Sequence, residues 1–256
     1  MQIAARQSFL TGRAGPSTPT ARDYVQDGLV AMWDGIENAG WGVHDANATV
    51  WTNLAQDRWH LPCTTAISWQ PDHAHGNGSK PYMAGLVGAD NAIPLADSRT
   101  VEVVAAYTLN NSYPLYGVAF FFTIAESDTS GRHMISDTSG SEKRLFAYCK
   151  NNGGQNKYYV NTSADGELLC LQATYPVTSY GPDTFRVNGV AAASTITSEN
   201  RSTSNGTIIG GSTRTGVIPG KLFGDIYCVR VYSRALTAAE FAANYAIDAQ
   251  RFGVTV

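Results

Sequence analysis

From residue 29 to residue 232 the chain is a succession of short apolar stretches closed by glycine, asparagine or aspartate, and this punctuation constrains the fold more than any other feature. Stretches that short make strands, not helices. They fall at residues 29–33, 49–54, 99–109, 116–124, 133–136, 145–150, 157–161, 168–175, 184–187, 207–211 and 224–232. Between them stand Thr138-Ser139-Gly140, Asn151-Asn152-Gly153-Gly154, Asp165-Gly166, Gly181-Pro182-Asp183 and Asn188-Gly189. Asn-Gly and Asp-Gly supply the positive φ angles that tight antiparallel connections need. The expected fold is all-β, an antiparallel two-sheet sandwich or jelly roll. Residues 116–124 are apolar on both faces, the mark of a central strand. With residues 99–109 they are expected to form a hairpin through Asn110-Asn111-Ser112, with Pro114 near the turn. Residues 58–81, broken by Pro, Asp and Gly, read as one long loop, and long ordered loops often carry function.

The end of the chain reads differently. In residues 224–232, Tyr227, Val229 and Val231 alternate with Ile226, Cys228, Arg230 and Tyr232, the period of a strand. Thr237 and Glu240 then form a capping box, in which hydroxyl and carboxylate satisfy the backbone N–H groups a helix start leaves free. Phe241, Tyr245, Ala249 and Phe252 make one apolar stripe, and Gly253 stops the helix. This single C-terminal helix is expected to lie across an open end or edge of the sandwich.

A chain of 256 residues is economically one domain with a short arm. A formal charge of −3 offers no basic field for nucleic acid, and no apolar run reaches the roughly 18 residues of a membrane span. Residues 1–22 form an extended N-terminal arm: Arg6, Arg13 and Arg22 without an acid, around the turn-rich Gly15-Pro16-Ser17-Thr18-Pro19. They lack the pattern of a secretory signal and read either as a frayed tail or as a docking peptide that orders on a larger assembly, leaving residues 23–256 as the domain. Cys63, Cys149, Cys170 and Cys228 have no metal or redox spacing. Three of the four lie in apolar runs, as buried free thiols do.

Sugars present apolar C–H faces and many hydroxyls, so their sites pair aromatic rings with Asn, Asp, Gln and His. Trp41, His44, Asp45, Trp59, His60, Trp69, His73 and His75 meet that description. Trp33 and Trp51 are core positions, and Trp69 stands between core and site. His73 and His75 share one side of a strand, where they form either a metal-ligating pair or a hydrogen-bonded pair; no third ligand at a recognisable spacing favours the metal. The i, i+2 acid pairs Glu126/Asp128 and Asp165/Glu167 lie in turns and read as solvated charges. No nucleophile elbow, zinc-protease motif, Walker A loop or dinucleotide fingerprint occurs.

Residues 27–35 (DGLVAMWDG), His44-Asp45, Trp51-Thr52-Asn53-Leu54 and the closing V-R-V-Y-S-R-A-L with T-x-x-E and its aromatic helix resemble LamG, or concanavalin A-like, jelly rolls. Glucanases of that fold carry E-x-D-x-x-E, which this chain lacks. The resemblance implies a non-catalytic, lectin-like carbohydrate-binding module. It also implies calcium at a sandwich edge, for which Asp34, Asn38 and Asp45 are the candidates, although Asp34 can equally cap the Asp-Gly turn. The first-strand pattern is similar to LamG-like proteins of phages and prophages of gut bacteria. That implies a virion protein, in the bacterial cytoplasm before assembly, whose arm docks on other virion proteins, whose copies form a homo-oligomer, and whose sandwich meets host-surface polysaccharide. The alternatives are a structural decoration protein without glycan binding, a bacterial surface adhesin, and a glycoside hydrolase of unrecognised type.

Overall fold

The computed structural model describes residues 18–94, 96, 99–107, 119–127, 130–139, 142–151, 154–162, 166–175, 183–192, 206–211 and 222–255. Its first half holds β1 (Leu29–Asp34), β2 (Val50–Trp51), β3 (Leu61–Pro62), β4 (Ile67–Trp69), β5 (Ala74–Asn77), β6 (Ala84–Val87), β7 (Thr100–Tyr107) and β8 (Ala119–Ser127). Then come β9 (Ser130–Ser139), β10 (Glu142–Asn151), β11 (Gly154–Thr162), β12 (Leu168–Thr174), β13 (Thr184–Val187), β14 (Val190–Ala191), β15 (Gly206–Ile209), β16 (Phe223–Tyr232) and the helix α1 (Ala238–Phe252).

β16 is the axis of the larger sheet. One side of it pairs with β7; the other is divided, with Phe223–Ile226 taken by β5 and Cys228–Tyr232 by β1. The sheet runs β14-β13-β12-β7-β16-β5-β4, with β1 beside β16. The smaller sheet runs β11-β10-β9-β8-β15-β6, and among the described residues β2 pairs only with β3. Every pairing is antiparallel, so the all-β sandwich with one C-terminal helix is what the chain forms. The Asn188-Gly189 turn joins β13 to β14 with φ of 49° and 75°, the conformation such a hairpin requires.

Between the sheets lie Trp33 from β1, Phe121, Phe122 and Ile124 from β8, Val101 and Val103 from β7, and Leu169 and Leu171 from β12, all buried. Trp33 stands 5.8 Å from Phe122 across the sandwich, and Trp51 meets Trp69 edge-on at 5.0 Å. Each such side chain contributes about 1.5–3 kcal/mol through removal from water.

Four expectations are corrected. β7 and β8 do not pair: β7 lies between β12 and β16, and β8 between β9 and β15 in the opposite sheet. Each presents an apolar face to the interior from its own sheet; Asn110-Asn111-Ser112 lie outside the described residues. Residues 58–81 are not one loop but contain β3, β4 and β5. Their inward positions include Ala74 and Gly76, too small to leave a hydrophobic periodicity; a Cβ on Gly76 would come within 2.7 Å of Met83 Sδ. β16 does not alternate throughout, because a bulge between Ile226 and Cys228 puts Tyr227 and Cys228 on the same outer face. Glu126 belongs to β8 and not to a turn; Asp128 and Asp165 lie outside the described residues, and Glu167 is exposed.

The helix is also placed differently. Instead of covering an end, α1 lies on the outer face of the larger sheet, burying Phe241, Asn244, Tyr245, Asp248 and Phe252. Its fully buried Asp248 takes two hydrogen bonds from Arg230 of β16, both 2.7 Å, and one from Tyr24 at 2.7 Å. Arg230 also reaches Glu102 of β7 at 2.8 Å and lies 4.0 Å over the Tyr24 ring. Asn244 and Gln172 complete the shell of Glu102, at 2.7 and 2.6 Å. Next to it Arg251 binds Asp34 of β1 at 2.6 and 3.1 Å. Of the N-terminal arm, residues 1–17 lie outside the description. The boundary expected at Asp23 falls within a 3-10 turn, Ala21–Asp23, whose Ala21 is buried and bonded through its N–H to Glu37.

The helix start follows the capping box: Thr237 accepts from the Glu240 N–H, Glu240 accepts from the Thr237 N–H, and Gly253 ends the helix at φ 79°. The Arg234 guanidinium, followed by the Thr237 N–H, lowers the Glu240 carboxyl to about 2. A lowered carboxylate contributes stability above its unfolded value of 4.5 and loses it as pH falls toward 2. Glu240→Gln is expected to remove on the order of 1 kcal/mol at neutral pH and to flatten this acid limb in urea titrations. An unchanged limb would assign it elsewhere.

Of the cysteines, Cys170 and Cys228 are free and buried and Cys63 is free and half-buried; the Cys149 side chain lies outside the description.

Candidate functional site

The residues read as one glycan cluster come to lie in separate places. His73 and His75 flank the inward Ala74 on β5 and therefore project from the outer face of the larger sheet. Directly across the ladder from His75 is Asp225, whose Oδ1 lies 2.6 Å from His75 Nδ1 and 3.4 Å from His73 Nε2. The other nitrogen of His73 bonds Asp72 at 2.7 Å, and its ring rests 4.7 Å from the Tyr227 ring, which in turn meets Phe252 of α1 at 5.6 Å. Burial, reinforced by Asp225 and Asp72, pushes the Tyr227 hydroxyl up to about 12, so it keeps its proton at neutral pH. The histidine pair is thus hydrogen-bonded to carboxylates, and among the described residues no group of three His, Cys, Asp or Glu is arranged to hold a metal.

His44 joins this neighbourhood through the loop after β1: its Nδ1 contacts the Gly35 carbonyl at 3.2 Å, and the Gly35 N–H donates to the Tyr227 carbonyl at 2.7 Å. Gly35 must be glycine for that approach, because a Cβ there would lie 2.5 Å from the Asp72 carbonyl oxygen. Trp41 packs under Arg22, 4.3 Å from its guanidinium.

The calcium candidates do not form an open oxygen cage. Asp34 is fully buried, holds Arg251, and caps the turn by accepting from the Ile36 and Glu37 N–H groups at 3.0 and 3.1 Å. A guanidinium already supplies the positive charge a cation would bring. Asn38 closes the loop on itself, its amide bonded both ways to the Asp45 backbone at 2.8 Å, and Asp45 Oδ1 accepts from the Asn47 N–H at 2.8 Å.

Trp59 and Trp69 are each only 8% exposed. Trp59 belongs to the core, its carbonyl accepting from Trp33 Nε1 at 3.0 Å while Arg58 covers its ring at 3.7 Å, so it is no platform for a ligand. His60 is fixed between the Asn53 N–H and Asp57.

Trp69 differs, because its remaining exposure forms one wall of an open groove of about 250 Å³ between residues 46–49 and residues 63–69. Its indole N–H is held by the Ala48 carbonyl at 2.9 Å, which fixes the wall. Around it stand Asn47, Thr49, Thr65 and Ser68, all exposed and, among the described residues, without a side-chain hydrogen bond. Thr64 is already engaged, donating to the Tyr82 carbonyl and accepting from the Ala66 N–H. Burial pushes the Cys63 thiol at the groove up to about 12, so it lines the groove as a small apolar group. The arrangement offers free hydroxyls and one amide beside an aromatic wall. Of the groove residues only Trp69 was singled out as a glycan candidate in the sequence; Asn47, Thr49, Thr65 and Ser68 were not. Ser and Thr are common in turns, and it is the pairing of β2 with β3, continued by the Cys63 N–H on the Thr49 carbonyl at 2.9 Å and the Trp69 indole on Ala48, that brings the two sides together.

No protein-family model matches the chain, and no curated protein matches it. Among solved structures it is similar to Trypanosoma rangeli sialidase in complex with a difluoro-KDN compound, at TM-score 0.52 and 16% identity, covering 93% of this chain and 34% of that one. The same sialidase in complex with sialic acid gives 0.50 and 15%, covering 94% and 35%. The CBM40 of a Ruminococcus gnavus sialidase, bound to α2,6-sialyllactose, gives 0.43 and 13%, covering 59% and 82%. The chain spans about a third of the Trypanosoma sialidase chains, and its likeness to them is one of fold: a β-sandwich.

Proposed function

We propose that the protein is a non-catalytic carbohydrate-binding module. The groove beside Trp69 carries this reading, because it joins an aromatic wall to hydroxyl and amide groups that no other described residue engages. Such groups match the hydroxyls and C–H faces of a sugar. Glycoside hydrolysis would need two carboxylates flanking the bond, and none of the residues lining the groove is an acid.

The reading extends to the setting implied by the LamG-like first and last strands: a phage virion protein, docked through residues 1–22 and associating with its own copies, that meets host-surface polysaccharide. Mass spectrometry of purified particles is expected to find the protein, and deletion of residues 1–17, which spares the buried Ala21 and its bond to Glu37, to abolish its incorporation; particles lacking the intact chain would end that extension. For binding itself, the wild-type protein is expected to be retained on immobilised host polysaccharide, and Ser68→Trp, which fills the groove from an exposed position, to elute with the void. Retention of Ser68→Trp equal to wild type would remove the groove from the proposal.

A further inference from the structure

We infer that the groove takes one ring of a neutral sugar, at a chain terminus or branch, and rejects sialic acids and other anionic sugars. This rests on the carbohydrate-binding reading and narrows it.

The charge of the lining decides the class. The lining residues, Asn47, Thr49, Thr64, Thr65, Ser68 and Trp69 with three apolar neighbours and Cys63, include no Lys, Arg or His. A carboxylate ligand entering such a groove exchanges water for neutral hydroxyls and finds no cation in return, the unfavourable case for burying charge. Asp45 adds repulsion: it is exposed, immediately precedes the lining residue Ala46, and its Oδ1 is held at the rim by the Asn47 N–H at 2.8 Å. The Cys63 thiol, pushed up to about 12, stays neutral and adds no charge of its own. A neutral pyranose meets none of these penalties. Its ring hydroxyls find donors and acceptors in Asn47, Thr49, Thr65 and Ser68, and its C–H face finds Trp69.

Size decides the number of rings. About 250 Å³ lies below the roughly 300–1,000 Å³ of pockets that enclose drug-sized ligands. The groove therefore holds a single ring, and the rest of a glycan lies in solvent.

The test is isothermal titration of the whole chain with methyl glycosides of galactose, glucose, mannose, N-acetylglucosamine and N-acetylgalactosamine, and with the methyl glycoside of N-acetylneuraminic acid. Binding of at least one neutral glycoside, at least about tenfold tighter than the sialoside, is expected. A trisaccharide ending in that sugar is expected to bind within about threefold of the glycoside. Thr65→Ala with Ser68→Ala, both exposed, is expected to weaken binding at least about tenfold while leaving the unfolding midpoint in place. A sialoside bound as well as or better than every neutral glycoside would overturn the inference and leave carbohydrate binding standing. A neutral glycoside bound equally by the double variant would overturn the groove assignment. A trisaccharide bound far more tightly would overturn the single ring. Heats of zero for every glycoside would overturn the inference and the carbohydrate-binding reading together.

Discussion

Arg230→Ala is expected to lower stability by about 3–5 kcal/mol, roughly 6–20 °C in the unfolding midpoint. The side chain is wholly buried between Glu102 and Asp248, contacts both within 2.8 Å, and stacks on Tyr24. Without it, two buried carboxylates face one another with no cation between them. Burial already pushes the Glu102 carboxyl up against the opposing pull of Arg230, and removing that pull raises it further. A carboxyl raised in the folded state binds its proton more readily there than in the unfolded chain. In the variant this group's contribution is therefore fully present below pH 4.5, the unfolded value, and is lost as pH rises through the raised folded value. Urea titrations across pH would show this slope in the variant. A loss under about 1 kcal/mol, the level expected for Arg234→Ala at the surface, would mean that the helix is held by its apolar contacts alone.

Trp33→Ala is expected to cost about 3–5 kcal/mol, because the indole spans the sandwich to Phe122 and its removal leaves a cavity that the paired strands on either side cannot close. Trp33→Phe separates volume from hydrogen bonding. It keeps most of the ring but leaves the Trp59 carbonyl without the N–H that now reaches it at 3.0 Å, a loss of about 1–3 kcal/mol. Trp59 sits at φ 56°, a strained conformation for an aromatic residue, so that bond holds the entry to β3 and the residues leading to the groove. Hydrogen exchange over residues 57–63 is expected to accelerate in Trp33→Phe more than exchange in β12. Uniform acceleration would show that the bond has no local role.

How much of this was legible depends on whether the signal was local. The capping box of Thr237 and Glu240 and the glycine stop at Gly253 involve residues within one turn of each other, and the structure forms both. The Asn188-Gly189 turn is equally local. The bulge at Tyr227 was hidden, because it depends on β7 and on the division of the opposite side of β16 between β5 and β1. β5 was hidden by its small inward residues, Ala74 and Gly76, and β4 by being only three residues long. Of the residues read as a glycan cluster, His73 and His75 come together, with Asp225 as an unforeseen partner 150 positions away along the chain. Trp59 was misleading, since an aromatic ring in a polar segment looks the same in sequence whether it faces solvent or the core.

The sequence by itself determined that the chain would be an antiparallel β-sandwich closed by one helix, because strand alternation, turn residues and helix caps act between near neighbours. Tertiary structure alone decided which face the helix covers, how the buried charges pair beneath it, and which hydroxyls border the groove beside Trp69. Those outcomes depend on strands far apart in the chain meeting in one register, and register is set by packing across the sandwich that no local pattern encodes.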